Sequence, residues 1–191
     1  MHKIGISIFT ICAFVASSTA HAHGGHGVSF MAGMAHPLLG FDHLLAMLGM
    51  GVSVAALGVR ARWFAVALVG MALFVGAFST GAMQASMNVA PVLAATLLML
   101  ALIVVRRFMF STALHLGLLS MFTFFHGFAH GMEAPVQALR LTFMSGVVLS
   151  SLMLFALGLG LGRTEVLRHI YLRRGFGGLL GITAMVFLFG A

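Results

Sequence analysis

The chain has 191 residues, 61% of them hydrophobic and 7% charged, with a formal net charge of +7 and a mean hydropathy of +1.14. That composition excludes an ordinary soluble domain, in which about 25% of residues are charged. The arginines fall in short clusters between apolar runs rather than along one face, which speaks against a nucleic-acid footprint and for membrane topology.

The N-terminus reads as a secretory signal. Lys3 supplies the positive start, residues 4–16 the apolar stretch, and Ala20-His21-Ala22 a small-x-small cleavage site. Residues 1–22 are therefore expected to be a cleavable signal peptide and residues 23–191 a transmembrane domain. Cys12 is the only cysteine and lies inside that signal, so the mature chain has no thiol for disulfides, iron–sulfur clusters or thiolate metal sites. His23-Gly24-Gly25-His26 would open the mature chain with a free amine beside imidazoles. This stretch reads either as a metal-capturing tail or as a plain polar one.

A spanning helix needs about 20 mostly apolar residues. Six runs qualify, at 32–58, 63–82, 89–105, 110–130, 141–161 and 175–190, which predicts an all-α protein with six transmembrane helices. Arg60 and Arg62, Arg106 and Arg107, and Arg163, Arg168, Arg173 and Arg174 follow the first, third and fifth runs. Basic loops stay in the cytoplasm, so both mature termini are expected on the periplasmic side of a bacterial inner membrane. Three spans per half force the halves into opposite senses, the arrangement of a 3+3 inverted repeat. Gly177 and Gly181 have the small-xxx-small spacing of close helix packing.

Polar residues concentrate in two places. The first run carries His36, Asp42 and His43 around Pro37 and Gly40, and the fourth ends in Phe-His-Gly-Phe-Ala-His-Gly-Met-Glu, with His126, His130 and Glu133. The predicted topology puts both sets in the outer half of the membrane. His126, His130 and Glu133 fall at i, i+4 and i+7 on one helix face, with His115 about three turns deeper on the same stripe. His36 and His43 are two turns, about 10 Å, apart on a regular helix, too far for one ion, but Pro37 and Gly40 allow the backbone to bend there. Asp42 is expected either to ligate from another angle or to orient a histidine. A carboxylate in a bilayer costs about 2.5–3.5 kcal/mol at the centre, a cost that a structural role alone seldom repays.

Histidine and carboxylate without thiolate suit divalent Ni, Co, Zn or Mn. Met47 and Met50 continue the His43 stripe, and read equally as packing or as the lining of a path. The expected metal residues are His36, Asp42, His43, His126, His130 and Glu133, with His23, His26, Met47 and His115 as capture or path residues. A closed tight cage would trap the ion, so modest affinity is expected of a transport site. Two rival readings are an intramembrane zinc hydrolase acting on lipid and a bis-histidine haem subunit.

The string His36-Pro37-x-x-Gly40-x-Asp42-His43, followed by Met47, resembles the HupE/UreJ family of membrane proteins, and Phe125-His126-Gly127-x-Ala129-His130-Gly131-x-Glu133 resembles that family's second motif. Five residues separate His36 from the Asp-His pair, which differs from the larger nickel/cobalt permease family. The resemblance implies inward transport of Ni(II), or Co(II), by secondary permeation or facilitated diffusion, with no permanently bound cofactor and no enzymatic activity. It also singles out His36, Asp42, His43, His130 and Glu133 to serve the metal. The partners it implies are the bilayer and the metal ion, with a homo-oligomer and a metallochaperone for hydrogenase or urease maturation left open.

Overall fold

The computed structural model describes residues 29–80, 88–106, 110–134 and 140–189. The signal segment with Cys12, the histidines at 23 and 26, and Arg107 lie outside them. The described residues form helices α1 (Phe30–Leu39), α2 (Phe41–Val54), α3 (Val59–Phe78), α4 (Ala90–Arg106), α5 (Thr112–Glu133), α6 (Arg140–Gly162), the single turn α7 (Glu165–Arg168) and α8 (Ile170–Phe189).

Each of the six apolar runs is helical over most of its described residues, with three departures from the sequence expectation. The first run is two helices, α1 and α2, bent by 81° at Gly40. Helix α4 has 17 residues and is shorter than the four single helices long enough to cross a membrane. Helix α8 starts at Ile170 rather than near 175, so Arg173 and Arg174 belong to its first turns. Hydropathy alone assigned them to the loop because it scores a charge as non-spanning, whereas a long basic side chain at a helix end can reach the interface.

Helices α3, α5, α6 and α8 are long and apolar enough to cross a membrane, and the bent α1–α2 pair makes a fifth span if its arms count as one. Their outward faces carry Trp63, Phe64, Met71, Leu157 and Ile182 exposed. Such a belt would be an aggregation hazard in water and is what lipid requires.

Local signals start the helices. Ser29 Oγ accepts from the Ala32 amide at 3.1 Å and Ser111 Oγ from the Leu114 amide at 3.3 Å, satisfying donors that a helix start leaves unpaired. Packing then depends on small residues, because lipid offers no hydrophobic drive between helices. Helices α1 and α2 lie against α6, α3 against α5, and α4 against α8. At the α4–α8 crossing Gly177 and Gly181 face Ala101 and Val105, as their spacing predicts. At the α2–α6 crossing a Cβ on Gly158 would come within 2.9 Å of Leu48 Cα.

Arg140 ties three helix ends together. Its Nη2 donates to the carbonyls of Ala77 at 2.8 Å and Gly131 at 3.1 Å and to Thr80 Oγ1, and its guanidinium lies 5.7 Å from the Phe78 ring centre. A cation is favoured there because the last carbonyls of α3 and α5 carry the negative ends of their helix dipoles.

Candidate metal site

The break at Gly40 builds the site. Pro37 lacks an amide for the helical ladder of α1, and one turn later the chain leaves helical geometry, with Gly40 at φ −78°, ψ 103°. Gly40 serves both helices: its amide donates to the His36 carbonyl at 3.1 Å and its carbonyl accepts from the Leu44 amide at 2.9 Å. The bend sets α1 at nearly a right angle to α2, and the His36 and His43 rings come to 6.1 Å between centres. On a straight helix they would stand about 10 Å apart.

Helix α5 brings the other half. His130 is fully buried, with its ring 4.1 Å from that of His43 and 5.1 Å from that of His36. Glu133, the last residue of α5, places Oε2 at the hub: His36 Nε2 donates to it at 2.9 Å, His43 Nε2 is 3.6 Å away and His130 Nδ1 3.9 Å away. His36, His43, His130 and Glu133 each offer one ligand atom, all within 4.8 Å of one another. Ligand atoms at about 2.0–2.1 Å from a metal stand about 3.3 Å apart in a tetrahedron and at most about 4.2 Å apart in an octahedron, so small side-chain shifts close this set on one ion.

The nitrogens themselves are poised for a ligand. His43 Nδ1, His126 Nε2 and both nitrogens of His130 are buried without a hydrogen-bond partner. A buried polar atom left unpaired costs about 1–3 kcal/mol, and four in adjacent imidazoles form an expensive arrangement unless something binds them.

The remaining sequence candidates fall around this cluster. Asp42 sits in the first turn of α2, where the helix dipole favours an acid, with Oδ2 3.5 Å from His43 Nε2. It lies beside His43 and outside the four-residue group. His126, also outside it, has its ring 5.9 Å from that of His43, and its Nδ1–H donates to the Phe122 carbonyl at 2.9 Å. That bond fixes the tautomer and leaves the lone pair on the buried Nε2. Met47 is buried in the core of α2, and His115 lies far down α5, 3.2 Å from Ser53 Oγ. The sequence reading passed over Ser53 and Thr123, although each is a hydroxyl in an apolar helix within three residues of a stripe residue, Met50 and His126.

Gly40 is required here by sterics, since its backbone angles suit any residue. A Cβ there would lie 2.8 Å from Cδ2 of His43. Gly40→Ala should therefore fold normally but displace the His43 ring, and affinity for a divalent transition metal, measured by titration calorimetry, should fall about tenfold. An unchanged affinity would remove His43 from the site.

Comparison with known proteins agrees with these motifs. The family model described as HupE / UreJ protein matches residues 10–187. Protein HupE of Rhizobium leguminosarum bv. viciae is 31% identical over 158 residues, covering 80% of each chain. No solved structure matches the chain. With nearly the whole chain matched and both histidine motifs gathered at one end of the bundle, the protein belongs to the HupE/UreJ family.

Proposed function

We propose that this protein is a permease that carries a divalent transition metal, Ni(II) first and Co(II) second, inward across the bacterial inner membrane. The observation that carries the reading is the convergence of three histidines and one carboxylate, with unpartnered buried imidazole nitrogens, on a point between the bent α1–α2 pair and α5. Borderline nitrogen donors with one carboxylate suit these ions as cargo. In this reading α4 and the bent pair join the four longer helices as six spans, with the arginine-bearing loops in the cytoplasm and the metal site toward the periplasm. The pairings α1/α2 with α6, α3 with α5 and α4 with α8 are unchanged when the two halves are exchanged, which supports an inverted repeat.

Glu133, exposed, and His36, partly exposed, meet the hydrated ion first, and the buried His43 and His130 replace its water. Asp42 adds negative charge beside His43 and lowers the cost of leaving water. The membrane potential is worth about 2.3 kcal/mol per charge per 100 mV, hence about 4.6 kcal/mol for a divalent cation, enough to concentrate a scarce metal about a thousandfold without ATP.

Radioactive nickel uptake tests this directly, in cells producing wild type or Asp42→Asn at matched membrane levels, with excess Co, Zn or Cu as competitors. Uptake above empty vector that falls at least about fivefold in the variant is the expected result. Wild-type uptake equal to empty vector would overturn the permease reading and turn attention to metal-dependent lipid hydrolysis.

A further inference from the structure

We propose that His115 forms a second, inner cation station on the same path, with Nδ1 as the ligand atom and Ser53 as the residue that orients it. The inference rests on the permease reading and extends it to a place where the ion leaves.

Helices α2 and α5 run antiparallel, and side-chain contacts join them along one seam. His43 meets His130 at the outer end, Met50 Sδ lies 3.4 Å from Thr123 Oγ1 in the middle, and Ser53 Oγ lies 3.2 Å from His115 Nε2 at the inner end. The first two contacts share one register, which also puts Met47 level with His126. Residues 43 to 53 span about 15 Å at 1.5 Å per residue, half the thickness of a bilayer core.

The middle of the seam is closed. Met47, Met50 and Thr123 are fully buried, and Thr123 Oγ1 donates to the Leu119 carbonyl at 2.7 Å. Inward of His126, the residues Met50 and Thr123 offer an ion thioether sulfur and an occupied hydroxyl, poor ligands for a borderline divalent cation. They separate the outer cluster from the inner histidine.

Beyond that layer the chemistry changes. Ser53 Oγ donates to the Met50 carbonyl at 2.7 Å, which uses its one proton because a carbonyl can only accept. The contact with His115 is then made by Nε2–H donating to Ser53, and the lone pair falls on Nδ1. His115 lines a cavity of about 50 Å³, room for a few waters, whose walls include Val52, Ser53, Phe110, Leu167 and Arg173. Here a partly hydrated cation meets one oriented imidazole and water. Such a site is weak, and the guanidinium of Arg173 on the same wall weakens it further, which suits release rather than storage.

The test uses the full-length protein in proteoliposomes and in detergent. His115→Ala should keep nickel binding at the outer cluster by calorimetry while influx, read by an entrapped metal-sensing dye, falls at least about tenfold. Ser53→Ala should lower influx by a smaller factor and Ser53→Thr should restore it, since only a hydroxyl acceptor orients the ring. His115→Cys titrated with Co(II) should develop a thiolate-to-cobalt charge-transfer band absent from wild type, which carries Cys12 alone. Influx of His115→Ala equal to wild type, or no such band in a His115→Cys protein that still binds Co(II) at the outer cluster, would overturn the inner station. If wild type itself moves no metal, the permease reading fails, while the band still decides whether an ion reaches residue 115.

Discussion

Glu133→Gln should abolish most nickel binding and reduce nickel uptake by at least about tenfold, although the side chain keeps its size. Residues that merely hydrogen-bond a metal ligand already change affinity by about 10–100-fold, and removing a ligand costs no less. Glu133 is the carboxylate of the four-residue cluster, and its Oε2 is the one atom near all three histidine nitrogens, at 2.9, 3.6 and 3.9 Å. Three neutral imidazoles leave a divalent ion with its full charge among apolar helices, whereas the carboxylate cancels half of it and repays part of the lost hydration. Glutamine removes that charge and turns one oxygen into a donor, which a cation repels. Glu133→Asp keeps the charge on an arm one carbon shorter and should retain partial uptake, with weaker affinity. Calorimetry on purified protein separates binding from delivery to the membrane. Full nickel affinity and uptake in Glu133→Gln would remove the carboxylate from the cargo's path and leave the site without its charge balance.

The sequence located this cluster because charges and imidazoles are conspicuous in an apolar chain. His126, His130 and Glu133 share a stripe by helical spacing alone, and the predicted topology sets them at the same depth as His36, Asp42 and His43. Spacing could not choose among the six, since that depended on a bend. Pro37 and Gly40 mark where the first span can break, but the 81° that draws His36 over His43 is set by Gly33 and Gly146 letting α1 settle on α6, a tertiary contact invisible to a hydropathy window. The same bend leaves Asp42 at the start of α2, beside His43 rather than in the cluster. Ser53 and Thr123 went unnoticed for a different reason: a hydroxyl in a membrane helix ordinarily bonds its own backbone, as both do here, and only the antiparallel register of α2 on α5 gives them a second contact.

Gly127→Ala should destabilise the protein and weaken metal binding together, while Gly117→Ala on the same helix should do neither. In an unhindered helix interior the change from glycine to alanine gains about 0.5–1 kcal/mol, and Gly117 has nothing within 4 Å of where a Cβ would stand. At Gly127 the new carbon would strike the backbone of Leu73 in α3, 2.8 Å from its Cα and 2.9 Å from its carbonyl carbon. Gly76 of α3 makes the reciprocal approach to the backbone of Phe124 and Phe128, so the two helices interlock through glycines and neither side has a flexible chain end that can yield. Relief requires α3 and α5 to separate, at an overpacking cost of about 1–3 kcal/mol. His126 and His130 flank Gly127 on α5 and move with it, and the Arg140 clamp across Ala77 and Gly131 loosens as the helix ends part. Thermal unfolding in detergent should show a fall of roughly 3–10 °C for Gly127→Ala. Nickel titration of the same sample should show weaker binding, because the histidines of α5 can meet those of the bent pair only while α5 stays seated on α3. Equal stability of the two alanine variants would mean that the glycine contacts do not set the distance between these helices, and the position of His130 would need another cause.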